Sequence, residues 1–430
     1  MASLLIKNGR VIDPASKRDE VCDLLILDGK IAEVGANVPD KADEILDASG
    51  KIVAPGFFDM HVHLREPGRE DKETIESGSR AAAAGGFTSI CPMPNTTPVV
   101  DSAQGLQFLR SRAREKSVVN IFPVAAVTLG QKGESICEFG DLVYYGAVAF
   151  SDDGHPIMNA EIMHRALQYT SMFNVPVLDH CEDLNLSEGG QMRFGPTAMK
   201  LGLKGVPPAS NSSQVARDID LARHTGGRVH IQHVSVRASI EYIATAREKG
   251  VSVTCEASPH HLALTDTCLE NYDTNFKMSP PLGSEDDRQA LLEGLRNGVV
   301  DCIATDHAPH TDMEKDQTFD QAPNGVIGME SAFPVLYTDL VLTGEIGLPL
   351  LIEKMTIGPA RLLNLPKGTL DQGADADVVI LDLDKEFVLD PAKFFSRSRN
   401  CPWNGRNLKG SIFATLVQGK VVFREGTFVV

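Results

Sequence analysis

Positive charge is scarce in this chain: 41 Lys and Arg stand against 58 Asp and Glu, a formal charge of −17 with neutral histidines. Charging all 12 His would still leave it negative, and no dense run of Lys and Arg offers the phosphate-neutralising stripe of a nucleic-acid binder. Long apolar runs are missing too. The longest, Leu142 to Phe150, falls far short of the roughly 20 residues that span a bilayer. The opening MASLLIKNGR enters an apolar-polar alternation without the apolar core, about 7 to 15 residues, of a secretory signal. Neither export nor membrane association is expected. The eight cysteines, at 22, 91, 137, 181, 255, 268, 302 and 401, form no C-x-x-C pair, which argues against a zinc-thiolate site and a dense disulfide framework. A reducing cytoplasm fits. What remains is ordinary globular composition, 42% hydrophobic and 23% charged over 430 residues, with a small molecule as the expected partner.

Both ends carry short apolar strands punctuated by a turn residue, Gly and a basic residue: Asn8-Gly9-Arg10, Asp28-Gly29-Lys30 and Gln418-Gly419-Lys420. Such dipeptides tolerate the positive φ of a hairpin turn. With Asp377 to Leu383 and Ala414 to Phe423 as further strands, residues 1–53 and 367–430 are expected to pair into one small β-sandwich. Between them, over 54–366, eight β-prone runs alternate with helical stretches: 51–64, 87–94, 118–127, 148–153, 175–183, 228–235, 251–261 and 299–310. Helices are expected over Asp71 to Gly85, Asn159 to Phe173, Ser212 to Thr225, Val236 to Gly250 and Asp286 to Gly298. Alternation of this kind implies parallel strands, and eight units close into a (β/α)8 TIM-type barrel of α/β class. An open doubly wound sheet is the alternative, but it predicts a Gly-rich phosphate turn after the first strand. Here that strand ends in His61-Val62-His63-Leu64-Arg65.

Side chains at i and i+2 share a strand face, so His61, His63 and Arg65 project together. Alone, His-x-His also fits a half-exposed strand. The other strand ends favour a site: Asp153 follows strand four, His180 strand five, His233 strand six and Asp306 strand eight, each at the end where barrel enzymes place catalytic groups. Four His and two Asp suit Zn2+ or a similar divalent ion, and six ligands suggest two ions with a bridging carboxylate. Asp153 is the candidate bridge, with Asp152 beside it as the ambiguity, since adjacent strand residues face opposite ways. Asn95 sits at the mouth, as turn former or substrate contact. His260 and His261 read as ordinary strand-end histidines, and His155, His164, His224 and His230 as structural. Thr311 to Gly328 is long enough for a lid, in which Glu314, Lys315 and Asp316 read as solvated charges.

The stretches Asp59 to Gly68, Pro92 to Pro98, Phe150 to Gly154 and Ala304 to His310 together make the chain resemble the dihydroorotases of the amidohydrolase superfamily, over nearly its whole length. The resemblance implies a cyclic amide hydrolase with two zinc ions, opening or closing dihydroorotate in pyrimidine biosynthesis. It implies His61, His63 and Asp306 on one ion, His180 and His233 on the other, and Asp153 as the bridge where many relatives use a carboxylated lysine. It assigns Asp306 the proton transfer, and Arg65, Asn95 and His310, with His63, Ser279, Asn324 and Gly325, to the substrate. A homodimer and association with aspartate carbamoyltransferase are further implications. Where the family usually reads Asn-Pro-Pro-Leu-Arg, this chain reads Ser279-Pro280-Pro281-Leu282-Gly283, which resembles the hydantoinases. A hydantoinase or allantoinase is therefore one alternative, and a catalytically silent scaffold for the carbamoyltransferase another.

Overall fold

Eight short strands, each parallel to its neighbours, form the centre of a computed structural model that describes residues 3–36, 38–39 and 42–429. They are Phe57–Val62, Phe87–Pro92, Asn120–Ile121 continuing as Val124–Ala125, Ala149–Ser151, Val177–Asp179, Val229–Ile231, Val253–Ala257 and Cys302–Ile303. Pro123 interrupts the third, so Asn120–Ile121 pairs with the second strand and Val124–Ala125 with the fourth. The gap is stitched by Phe122 N–H donating to Ile90 O and Val148 N–H to Pro123 O, both at 3.0 Å. The ring closes where Val62 bridges His307 in parallel and His63 N–H donates to His307 O at 2.9 Å. Closure removes the edges that the open-sheet alternative needs.

Helices fill the crossovers, and their ends follow capping chemistry. Ile75–Ala84 starts at Thr74, whose Oγ1 accepts from Ser77 N–H at 3.0 Å while Thr74 N–H donates to Ser77 Oγ at 3.1 Å. The four residues before it, expected as helix, form the approach. Ala160–Ser171, Pro208–Thr225, Arg237–Glu248 and Glu285–Arg296 fall on the other expected stretches. Among the described residues, no helix is long and apolar enough to cross a membrane.

The sandwich expected from the termini is one hydrogen-bonded sheet of nine strands. Its order runs Thr427–Phe428, Lys420–Arg424, Asn407–Val417, Val378–Val388, Ile52–Pro55, Ser3–Asp13, Arg18–Leu27 and Lys30–Gly35, with Glu44–Asp47 also on Ser3–Asp13. Leu4, Ile6, Leu24 and Ile26 from one half pack with Val378, Ile380, Ala414 and Leu416 from the other in one buried cluster. Positions 1, 2, 37, 40, 41 and 430 of the expected terminal ranges lie outside the described residues.

Several local expectations change. Asp28-Gly29 and Gln418-Gly419 are hairpin turns, all four residues at positive φ. Asn8-Gly9 is instead a register shift inside the unbroken strand Ser3–Asp13, because the β-sheet partner Arg18–Leu27 continues past it. The run Ala414 to Phe423 spans two strands across the Gln418-Gly419 turn. The run 51–64 divides at Gly56, where a Cβ would lie 2.2 Å from the Thr88 side chain: Ile52–Pro55 joins the terminal sheet and Phe57–Val62 the barrel. The eighth strand is regular only at Cys302–Ile303, since Asp306 takes φ +49° and turns the backbone. His260 and His261 stand in the short helix Pro259–Ala263 beyond strand seven.

Candidate active site

The C-terminal ends of the barrel strands bring the six candidate ligands together, all buried. Asp153 is their hub. Its Oδ1 lies 3.4 Å from His61 Nε2, 3.5 Å from His180 Nδ1 and 3.7 Å from His233 Nε2, while Oδ2 lies 3.4 Å from His63 Nε2. Asp306 Oδ1 faces the first pair, 3.1 Å from His63 Nε2 and 3.6 Å from His61 Nε2. Burial opposes ionisation of both carboxyls, but the imidazoles around them outweigh it and hold both below the usual carboxylate range. Asp152 turns the other way, accepting from Val127 N–H at 2.8 Å, Thr128 N–H at 3.0 Å and the Thr128 hydroxyl. The geometry thus separates two neighbours that spacing leaves equivalent.

The cluster has the marks of a cation site. Asp153 Oδ1 and His233 Nδ1 are buried without a hydrogen-bond partner among the described residues. His180 Nδ1 and His233 Nε2 face each other at 2.8 Å, a spacing that calls for a shared proton or a shared cation. Two triads, His61 with His63 and Asp306, and His61 with Asp153 and His233, place one donor atom each within ion-binding reach of the others. Nitrogen and carboxylate oxygen suit a borderline divalent ion. Three residues here, Arg65, His233 and Asp306, hold positive φ, backbone strain of the kind that gathers at functional sites.

Above the cluster opens a cavity of about 310 Å3, lined by all the expected substrate-facing residues: His63, Arg65, Asn95, Ser279, His310, Asn324 and Gly325. Asp153, His180, His233 and Asp306 also line it, and His61 lies beneath. Arg65 Nε donates to Pro309 O at 3.3 Å. Burial lowers its pKa to about 10, with Asp306 and Asp153 opposing, so it stays charged at neutral pH. Asn95 is partly committed: Oδ1 lies 3.0 Å from His63 Nδ1 and Nδ2 donates to Asp153 O at 3.3 Å. His310 places Nε2 2.8 Å from Asn324 O and Nδ1 3.2 Å from Lys72 Nζ. Burial, with Arg65, Lys72 and Lys315 nearby, pulls it down to about 3, so the ring is neutral.

Sequence reasoning missed four participants. Glu256 Oε1 lies 2.5 Å from His61 Nδ1, and Glu182 Oε2 lies 3.0 Å from His180 Nε2 and accepts from Ser279 Oγ at 3.2 Å. Glu182 is legible as the i+2 neighbour of His180, whereas spacing shows of Glu256 only that it shares a strand face with Thr254. Lys72 is buried and pairs with Glu314 at 2.9 Å. Lys315, read as a solvated charge, is buried and donates to Pro323 O at 3.0 Å and Gly325 O at 3.1 Å, which shapes the Asn324-Gly325 wall. Glu314 is likewise engaged, and Asp316 alone of the three is exposed.

Comparison with known proteins gives the family. The dihydro-orotase-like family matches residues 50–239 and the amidohydrolase family residues 275–423. The L-hydantoinase (dihydropyrimidinase) of Arthrobacter aurescens superposes with a TM-score of 0.91 at 27% identity, over 100% of this chain and 98% of its own. Fold and site therefore define an amidohydrolase barrel. Within that class, the dihydroorotase of Pelotomaculum thermopropionicum is 52% identical over 422 residues, 98% of this chain and 99% of its own length. The dihydroorotase of Solibacter usitatus is 50% identical over 416 residues, 97% of each. The chain belongs to the dihydroorotase family.

Proposed function

We propose that this chain catalyses the reversible hydrolysis of (S)-dihydroorotate to N-carbamoyl-L-aspartate, a step of pyrimidine biosynthesis. The observation that carries the reading is a charged Arg65 on the same cavity wall as the His and Asp cluster, a carboxylate reader beside hydrolytic machinery. His61, His63 and Asp306 would hold one Zn2+ and His180 and His233 a second, with Asp153 between them. Divalent ions held there would supply Lewis acidity to the ring carbonyl and would lower the pKa of water.

The chain's own groups do the rest. Asp306, ionised and facing the cavity, accepts the proton of the attacking water and delivers it to the departing ring nitrogen. Arg65 presents a planar fork that pairs a carboxylate through two parallel hydrogen bonds. Asn95 and neutral His310 flank that charge, and the backbone at Asn324 and Gly325, held by Lys315, orients the ring. Opening the ring creates a new carboxylate and releases a proton, so alkaline conditions favour hydrolysis and acidic conditions closure.

Ser279 is the feature that favours a hydantoinase, and the hydantoinase superposition keeps that reading alive. Its hydroxyl is already committed to Glu182, which supports the charged Arg65 rather than Ser279 as the specificity group. A silent scaffold would need none of the six clustered ligands. The same reading includes a cytoplasmic homodimer able to associate with aspartate carbamoyltransferase, on the strength of the family alone. Purified protein should turn over dihydroorotate, lose activity on extended dialysis against a strong chelator and regain it with Zn2+ or Co2+. Full activity in verified metal-free protein would overturn the assignment.

A further inference from the structure

Below the cavity, inside the barrel, a chain of three side chains that the reaction does not use directly leads to His61. Glu256 and Thr254 project inward from strand seven, and His230 from strand six, where it is the register partner of Thr254. Glu256 Oε1 meets His61 Nδ1 at 2.5 Å and Oε2 meets His230 Nε2 at 3.2 Å; His230 Nδ1 meets Thr254 Oγ1 at 2.9 Å. Glu256, His230 and His61 have no exposed surface.

The donors in this chain can be assigned. A carboxylate only accepts, so both imidazole nitrogens facing Glu256 carry protons. His230, protonated at Nε2, accepts at Nδ1 from the Thr254 hydroxyl. With Nδ1 committed to Glu256, His61 turns Nε2 to the two carboxylates, 3.4 Å from Asp153 and 3.6 Å from Asp306, and that nitrogen is the one that would hold a cation there. Gln232 Nε2, a donor, lies 3.2 Å from His61 Nδ1 and 3.4 Å from His61 Nε2, and its Oε1 accepts from Ser151 Oγ at 3.1 Å. Facing both ring nitrogens, it does not select a tautomer by itself. Cys302 stands within ion-binding reach of His230 and Glu256, yet those two already bond each other, so the group is a hydrogen-bond chain.

We infer that Glu256 is a positioning residue: it fixes His61 as the Nδ1–H tautomer, with Nε2 turned to the Asp153–Asp306 pocket, and His230 and Thr254 hold Glu256 in that role. The inference rests on the reading of His61 as a metal ligand. Carboxylate partners of this kind orient a ligand imidazole and raise its basicity, and their loss weakens metal binding by about 10–100-fold.

The test is zinc affinity of chelator-stripped protein, measured by competition with a chromophoric chelator. Glu256→Leu, which removes the acceptor, should bind zinc about 10–100-fold more weakly than wild type. Glu256→Gln, whose carbonyl can still accept from Nδ1, should recover most of that loss. A merely structural Glu256 would lower the melting temperature of the metal-free protein and leave zinc affinity unchanged, and that result overturns the inference. Should Glu256→Leu fail to fold, wild-type protein labelled with 15N-histidine decides: His61 in the zinc form should be protonated at Nδ1, and protonation at Nε2 or metal on Nδ1 overturns it. If wild type takes up no zinc, or His61→Asn binds it as tightly, the metal reading itself has failed.

Discussion

On one side of the cluster His61 leans on Glu256 in the closed barrel interior; on the other, His180 leans on Glu182 at the cavity wall. The bonds are alike, but the surroundings differ. Glu256 is fully buried and shares its second oxygen with His230, whereas the Glu182 side chain keeps 19% of its surface exposed and shares an oxygen with Ser279. A hydrogen bond in a dry interior cannot be replaced by water, while one at a wet rim can. On the inference above, losing the interior partner should weaken the histidine as a ligand more than losing the rim partner does. The rim partner also bonds Ser279, where the sequence reads Ser-Pro-Pro-Leu-Gly.

The sharpest break in this comparison comes from a residue that belongs to the reaction. Asp306→Asn should lower kcat by at least about a hundredfold in folded protein, the lower range for general acid-base catalysis. Asp153→Asn should be severe and Asp152→Asn mild, because Asp152 is spent on Val127 and Thr128. Equal losses at 152 and 153 would remove Asp153 from the hub. Next comes Arg65→Ala: kcat/KM for dihydroorotate should fall by about 2–5 kcal/mol, with little change for hydantoin or dihydrouracil. A wild-type preference for the carboxylate-free rings, untouched by this variant, would hand the protein to the hydantoinase reading.

Smaller effects sharpen the contrast between interior and rim. Glu182→Gln should weaken zinc binding by less than the roughly tenfold floor set for a carboxylate partner, and Ser279→Ala should change kcat/KM by about 0.5–1.5 kcal/mol. A loss at Glu182 equal to that of Glu256→Leu would erase the difference between the two depths. A further effect concerns pH. Folded His310 resists protonation down to about 3 while the unfolded chain protonates near the ordinary value of 6.5. Between these pH values the unfolded state binds more protons, so His310 makes the protein less stable as pH falls through that window. His310→Gln should flatten that slope in denaturant titrations at pH 4 to 7, and an unchanged slope would count against a neutral, enclosed ring.

Strand ends carried most of the site in the sequence. His61, His63, His180, His233, Asp153 and Asp306 each sit where a short apolar run stops, and period-two alternation was enough to aim the first pair inward. Gly56 and Pro123 were legible as residues but not as breaks: a run such as 51–64 reads as one strand until its two halves find partners in different sheets. Lys315 misled because charge in a polar loop reads as solvated, and only the fold reveals carbonyls waiting for it. Glu256 stayed hidden for the converse reason. Its i+2 spacing from Thr254 marked an inward face, but nothing in one strand says which side chain of another, 195 positions away, it will meet.

The joint between Val62 and His307 has a consequence for how the protein comes into being. His63 and Asp306 stand 243 positions apart, and the same joint that completes the ring lays them side by side. During synthesis the first strand leaves the ribosome with its two histidines long before the eighth strand exists. Contacts so distant in sequence form late, after the entropy of closing the intervening chain has been met. A truncated product lacking the eighth strand would thus carry five of the six ligands and no closed ring to aim them. Chemistry at this mouth begins only when the last strand has been made and docked.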